Sequence, residues 1–316
     1  MKKILVVLPL NENQKNFLKE CASDNEIKFV DYDSMTSDDV KDVNCIIGSV
    51  KRKFIKAAAN LEWLQISYAG ADLFTVPGLL KDETILTNAA GAYNTAVSEH
   101  MLAMTFSLVR RFNQYMKNQF NHTWQKMGNI ISVKSSTILI LGLGQIGCDY
   151  AKKVKSLGTY VIGVKRTLSE KPNFVDELYT IDEIDNLLGR ADIVAMVLPG
   201  GENTKNIIDS ERLKKFKRGA YLINVGRGNA INSDALKSAL KNNLLGGAAL
   251  DVTDPEPLPE DDELWNFDNV IITPHSAGQL FLAETLDNII EIAGNNLKNF
   301  LNNKPLKNIV NRKIGY

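Results

Sequence analysis

Cysteine is scarce: Cys21, Cys45 and Cys148 are the only three in 316 residues, odd in number, far apart and without a CxxC pair. A disulfide framework and a cysteine-based metal site are therefore not expected, and reduced thiols in a cytoplasmic protein are. An excess of charge of one sign is also missing. Lys plus Arg and Asp plus Glu number 37 each, so no overall field exists to hold nucleic acid or an anionic membrane. No stretch approaches the ~20 apolar residues that a membrane helix needs. Met1-Lys2-Lys3 followed by Ile4–Leu8 imitates the start of a signal peptide, but the run breaks at Pro9 and leads into Asn11-Glu12-Asn13 with no small-residue cleavage site. A buried first strand is the expectation there. Short-period repeats and low-complexity segments are absent as well.

What is present is ordinary globular material. Apolar residues make up 44% and charged residues 23% of a length that suggests two domains. Short β-rich runs alternate with helical stretches, the signature of parallel α/β sheets. In the first hundred residues the expected strands are Ile4–Leu8, Ile27–Val30, Cys45–Ile47 and Leu64–Ser67. From Thr137 a second series follows: Ile138–Leu141, Tyr160–Val164, Ile193–Leu198, Tyr221–Val225, Ala248–Asp251 and Val270–Thr273. These are nearly unbroken apolar runs, as expected of strands covered on both faces. Thr180-Ile-Asp-Glu183 has the pattern of a capping box before the apolar face Ile181, Ile184, Leu187 and Leu188, with Gly189 as the stop. Between the two series, Val97 to about Phe120 predicts one helix, apolar almost all round until Arg110-Arg111 reach solvent. Such a helix should be buried, between domains or between subunits.

Gly142-Leu-Gly144-Gln145-Ile146-Gly147 is a GxGxxG that directly follows one expected strand and opens a helix, with a second strand, Thr159–Val164, after it. This is the context a dinucleotide fingerprint requires. Gly142 permits the tight turn, Gly144 lets backbone approach a pyrophosphate, and Gly147 packs helix on strand. The helix start then offers unpaired N–H groups and a positive dipole end. An ordinary glycine-rich turn is the plain alternative. At the end of the second strand an NAD enzyme places Asp or Glu for the ribose 2′-OH. Here stand Lys165, Arg166 and Thr167, with no carboxylate. Arg166 could grip a 2′-phosphate with charge-assisted bonds of about 1.5–3 kcal/mol each, at least tenfold in preference. Otherwise Lys165 and Arg166 are solvated loop charges. NADP(H) is the favoured cofactor, and NAD(H) stays open.

Three polar residues follow late strands, where doubly wound sheets place ligands. They are Arg227 in Asn224-Val225-Gly226-Arg227-Gly228, Glu256 in a proline-stiffened loop after Asp251, and His275 in Thr273-Pro274-His275-Ser276-Ala277-Gly278. The chain resembles the D-isomer-specific 2-hydroxyacid dehydrogenase family over nearly its whole length: GLGQIG, NVGRG, ALDVTDPEPLP and TPHSAG occur in the family's order and at family-like spacing. The resemblance implies that His275 is the acid/base, Glu256 its carboxylate partner, and Arg227 the fork for the substrate carboxylate. The chemistry suits: imidazole changes charge near neutral pH, a carboxylate favours its protonated form, and guanidinium pairs carboxylates in a plane. Each has a bland alternative, a structural histidine after proline, a surface ion pair and a solvated turn respectively.

Further implied positions are Asp251, which would hold the nicotinamide carboxamide, and Leu198, Pro199, Thr204, Val225, Gly226, Ala277 and Gly278 around the cofactor. On the substrate side, Tyr68, Ala69 and Gly70 resemble the loop whose backbone N–H groups bind the substrate carboxylate; Tyr68 could project and limit substrate size or pack under the loop. Two glycines, Gly200 and Gly201, depart from the family where it carries bulkier residues. His100, on the apolar helix, reads as structural, and His122 beside Trp124 could border the cofactor or another subunit.

The expected architecture is thus two doubly wound parallel-sheet (Rossmann-like) domains with a cleft between them. The resemblance implies that the substrate-binding domain is discontinuous, residues 1–97 and 279–316, beside a dinucleotide-binding domain of residues 98–278. The expected function is metal-free, NAD(P)H-dependent reduction of a small 2-keto acid to a 2-hydroxy acid; the resemblance implies the D isomer and a homodimer. One rival is a dinucleotide-sensing regulatory protein on the same fold, disfavoured because the long extra tails of such regulators are missing. Another is an NAD-using hydrolase or different hydride-transfer enzyme, for which matching lysines and insertions are not found.

Overall fold

The structure is a computed structural model and describes residues 1–280, 282–313 and 315. Its elements open with β1 (Lys3–Val7), α1 (Glu12–Ala22), β2 (Glu26–Phe29), β3 (Cys45–Gly48), α2 (Arg52–Ile55), β4 (Trp63–Gln65) and β5 (Ile85–Thr87). There follow α3 (Asn94–Val109), α4 (Phe112–Phe120), β6 (Thr137–Leu141), α5 (Gln145–Ser156), β7 (Tyr160–Lys165) and β8 (Glu177–Thr180). The chain continues through α6 (Ile184–Leu187), β9 (Ile193–Met196), α7 (Ser210–Lys215), β10 (Ala220–Asn224) and α8 (Ser233–Lys241). It ends with β11 (Leu245–Leu250), β12 (Val270–Ile272) and α9 (Ala283–Leu301). Two compact units result, Met1–Tyr93 with the chain from Leu280 onward, and Asn94–Gln279. Both are α/β with all-parallel sheets, as the alternation of runs predicts.

In the first unit the strands lie in the order β2-β1-β3-β4-β5, every neighbour parallel. The apolar run Ile4–Val7 lies inside the sheet between β2 and β3, each residue at most 2% exposed, which is the burial on both faces that such a run needs. Its start is followed by α1, where Asn11 and Gln14 bond each other's backbone N–H in a capping box.

In the second unit the order is β12-β11-β10-β9-β6-β7-β8, again parallel throughout. Chain order turns back between β6 and β9: β7 and β8 extend the sheet one way, β10 to β12 the other. The residues after β6 therefore sit at the topological switch point, where open α/β sheets bind ligands. Leu139, Leu141, Ile162, Val194, Met196, Leu222, Ala248 and Leu250 belong to one buried core cluster under that edge.

Three expectations change. The helix from Val97 to about Phe120 is two helices, because Arg111 adopts φ 59°, a left-handed conformation that ends the ladder; its Nε donates to the Asn129 carbonyl at 2.8 Å. α3 packs one face within the second unit, on α5 and over β10, β11 and β12, while Glu99, Ala103 and Phe106 stay exposed. The capping box at Thr180 does not form. Thr180 makes no side-chain cap bond, Glu183 instead takes the Asn186 amide at 3.0 Å, and Ile181–Glu183 is a 3-10 turn before the single turn α6. Finally, β5 and β8 were not expected. Both are short edge strands, and Glu177-Leu-Tyr-Thr180 is half-buried along its length, so neither presents a long unbroken apolar run.

Candidate active site

The site is assembled from loops at the carboxyl edge of the seven-stranded sheet. After β6 the chain turns at Gly142, φ +101°, where a Cβ would lie 2.6 Å from the Val197 carbonyl. Gly147 lets the first turn of α5 close on that bend, since a Cβ there would meet the Gly142 carbonyl at 2.3 Å. Gly144 is different: exposed, at the N-cap of α5, without a side-chain cap bond and with nothing within 4 Å of an added Cβ. Open space beside an uncapped helix N-terminus fits the pyrophosphate of a dinucleotide. Gln145 is exposed and Ile146 half-buried on the same turn.

Lys165 ends β7, half-buried, with its Nζ on the Ser169 hydroxyl at 2.9 Å, and Arg166 and Thr167 are exposed just beyond. After β9, Leu198 is buried and Pro199 half-buried; the Thr204 hydroxyl donates to the Pro199 and Gly201 carbonyls at 2.8 and 3.0 Å, closing the two-glycine loop on itself.

After β10 the fully buried Asn224 staples the turn that carries Arg227. Its Oδ1 accepts from the Gly226 N–H at 3.1 Å, and its Nδ2 donates to the Arg227 carbonyl at 2.9 Å. Arg227 itself is half-buried, with Nη1 on the Gly226 carbonyl at 2.8 Å. Gly228 then presses so closely on the next loop that a Cβ would fall 1.8 Å from the Thr253 carbonyl. Thr253 in turn gives its N–H to Glu256 Oε1 at 3.1 Å, and Glu256 Oε2 meets His275 Nδ1 at 2.9 Å. The loops of Arg227, Glu256 and His275 are thus tied in sequence by close contacts.

His275 follows β12 at φ 49°, left-handed, a conformation that histidine tolerates better than most residues. Its N–H donates to the Asp251 carbonyl at 2.8 Å, and Gln279 Nε2 donates to its carbonyl at 3.0 Å. The Asp251 carboxylate, 2% exposed, accepts the backbone N–H groups of Ser276 and Ala277 and the Thr273 hydroxyl. With Nδ1 engaged by Glu256, the ring presents Nε2 as its other nitrogen, the arrangement of an oriented acid/base. Val225, Ala277 and Gly278 line the same turns.

In the first unit, the loop Tyr68-Ala69-Gly70 leaves the end of β4 and is fixed by its carbonyls. Tyr93, whose hydroxyl burial pushes well above the usual range, donates to the Ser67 carbonyl at 2.6 Å. The Ala89 N–H donates to the Tyr68 carbonyl, and Asn88 Nδ2 donates to the Ala69 carbonyl at 2.7 Å. Within that unit Tyr68 is 46% exposed and does not pack beneath its loop.

Asn224 and Thr273 are the site residues that sequence reasoning missed. Both stand inside quoted motifs, Asn224 opening NVGRG and Thr273 opening TPHSAG, but a lone polar residue at a strand end carries no spacing of its own. His100 lies on α3 with Nε2 3.0 Å from the Thr273 hydroxyl, and His122, φ 51°, is exposed after α4. Among the described residues no group of three His, Cys, Asp or Glu could hold a metal ion, and no helix is long and apolar enough to cross a membrane.

Comparison with known proteins places the chain in a family and a fold. Residues 102–277 match the family described as D-isomer specific 2-hydroxyacid dehydrogenase, NAD binding domain. The chain is similar to a glyoxylate reductase of Thermofilum pendens, 28% identical over 99% of this chain and 95% of that one. Among solved structures, it resembles a D-isomer specific 2-hydroxyacid dehydrogenase family protein of Aeromonas salmonicida, with a TM-score of 0.86, 31% identity, and 98% and 99% of the two chains covered. It also resembles a probable 2-hydroxyacid dehydrogenase of Rhizobium etli in complex with NADP, HEPES and L(+)-tartaric acid, with a TM-score of 0.80, 26% identity and 99% of each chain covered.

Proposed function

This chain belongs to the D-isomer-specific 2-hydroxyacid dehydrogenase family, oxidoreductases that use a nicotinamide dinucleotide, and from that premise we propose that it works as an NADPH-dependent reductase of a small 2-keto acid. The observation that carries the reading is the His275–Glu256 pair, 2.9 Å apart, tied through Thr253 and Gly228 to Arg227 on the sheet edge that bears the glycine loop. When bound, the reduced nicotinamide supplies the hydride. His275 gives the proton that the keto oxygen gains as the carbonyl carbon is reduced, and Glu256 holds the ring by Nδ1 so that Nε2 is the nitrogen left to give it. Arg227, whose turn Asn224 fixes, pairs the substrate carboxylate and polarises the adjacent carbonyl.

Gly142, Gly144, Gln145, Ile146 and Gly147 are the proposed pyrophosphate cradle, with Leu198, Pro199, Thr204, Val225, Gly226, Asp251, Ala277 and Gly278 around the remainder of the cofactor. Lys165, Arg166 and Thr167 support a 2′-phosphate rather than a bare 2′-OH, because β7 ends without a carboxylate, and the Rhizobium etli relative was crystallised with NADP. Tyr68, Ala69 and Gly70, in a loop fixed by its carbonyls, have N–H groups to offer a carboxylate. Residues 94–279 are proposed as the dinucleotide-binding domain and the remaining unit as the substrate-binding one. A homodimer is supported by the apolar side chains that α4 and its following loop leave exposed: Phe112, Met116, Phe120 and Trp124.

The test is chiral analysis of the product formed from a 2-keto acid and NADPH. The D-2-hydroxy acid is expected; the L isomer would overturn the family stereochemistry, and no product would overturn the reductase reading.

A further inference from the structure

α3 is apolar along most of its length, yet it carries His100 towards the end of β12, with about a quarter of the side chain exposed. His100 Nε2 lies 3.0 Å from Thr273 Oγ1 and 3.7 Å from Asp251 Oδ1, and Thr273 Oγ1 lies 2.6 Å from the same carboxylate oxygen. Counting protons fixes the direction of every bond. A hydroxyl has one proton and a carboxylate only accepts, so Thr273 gives its proton to Asp251 and must accept one from His100. The imidazole therefore carries its proton on Nε2.

What this chain of bonds holds is the turn of the proposed proton donor. Asp251 Oδ1 also takes the Ser276 N–H at 2.9 Å and the Ala277 N–H at 3.2 Å, Oδ2 takes the Ala277 N–H at 3.1 Å, and the Asp251 carbonyl takes the His275 N–H at 2.8 Å. Every residue of His275–Ala277, including the left-handed His275, gives its backbone N–H to this one aspartate. Without the Nε2 proton the Thr273 hydroxyl is free to rotate away, and Asp251 Oδ1 loses a donor inside a nearly dry pocket.

We propose that His100 is a positioning residue for the acid–base pair, acting through the Thr273 hydroxyl on Asp251 and so on the aim of the His275 ring. This rests on the reading of His275 as the proton donor. Because the side chain that staples the Arg227 turn is that of Asn224 and not that of Asp251, the loss falls on the reaction step more than on substrate binding.

The experiment compares kcat and KM for a 2-keto acid in His100→Met, His100→Gln, Thr273→Val and Thr273→Ser. His100→Met and Thr273→Val are expected to lower kcat about tenfold to a hundredfold, the range in which misplacing a reacting group costs rate. KM for the keto acid stays within about twofold, since the same argument leaves substrate binding largely alone. His100→Gln, whose amide can donate from a similar reach, and Thr273→Ser recover most of kcat. The double variant His100→Met with Thr273→Val is no slower than the worse single, as members of one chain should behave. Full kcat in His100→Met, or a His100→Gln as slow as His100→Met, overturns the proposal; if His100→Met fails to fold, the Gln, Val and Ser variants still decide it. Long-range proton–nitrogen NMR on the three histidines gives a readout independent of turnover. An Nε2–H tautomer at His100 that changes in Thr273→Val supports the proposal, and an Nδ1–H tautomer overturns it. A wild type that reduces no 2-keto acid while keeping the Nε2–H tautomer refutes the functional reading instead.

Discussion

At the end of β7, two cations and a hydroxyl stand where a carboxylate would select NAD, and the consequence is measurable at one residue. Arg166→Ala should lower the NADPH-to-NADH ratio of kcat/KM at least tenfold, the effect of one lost charge-assisted bond. An unchanged ratio would return Arg166 to the surface. Residues of this kind were legible in the sequence because chemistry constrains them in patterns. GxGxxG between two strands, an arginine after NVG and a histidine after TP each announce themselves by context. Asn224 and Thr273 do not, although the structure gives them as much to hold: one staples the Arg227 turn, the other clamps Asp251. Their significance lies in hydrogen bonds to backbone groups that are far off in the chain or ordinary in type, and no spacing records these.

Secondary elements follow the same division. Central strands such as β1, β6 and β9 are buried on both faces and read as apolar runs. β8 is an edge strand, and polar contacts at its start reinforce it: Glu177 accepts from the hydroxyls of Tyr160 and Tyr179 and from the Arg190 guanidinium. Arg190 foremost, then the two tyrosines, draw the Glu177 carboxyl from 4.5 down to about 2. A lowered folded-state value means stability that is present above pH 4.5 and lost as pH falls towards about 2. Glu177→Gln should therefore cost about 1 kcal/mol near neutral pH, or roughly 2–4 °C in Tm. The gap between the two proteins should close on acidification through that window, followed by thermal denaturation at several pH values. A pH-independent gap would contradict the assignment. The break between α3 and α4 was equally hidden, because the left-handed Arg111 is an arginine and not the glycine that normally advertises such a stop.

At the scale of the whole molecule, two parallel-sheet units, a dinucleotide loop at the switch point and a tied acid–base constellation converge on one class of chemistry. The exposed Phe112, Met116, Phe120 and Trp124 lead to an expectation about assembly. The protein should sediment as a dimer, and Phe120→Glu, which places a charge among these apolar side chains, should shift it towards monomer. A wild type that sediments as a monomer would remove the homodimer from the account. The central claim, that this chain reduces 2-keto acids with His275 as proton donor, is tested most directly by one comparison. NADPH consumption is followed with glyoxylate, hydroxypyruvate, pyruvate and larger 2-keto acids, for wild type and His275→Ala side by side. The account predicts turnover with at least one of these acids and a fall in kcat of about a hundredfold to ten-thousandfold in the variant, with dinucleotide binding retained. Equal turnover in the two proteins, or tight dinucleotide binding with no turnover in either, would contradict it.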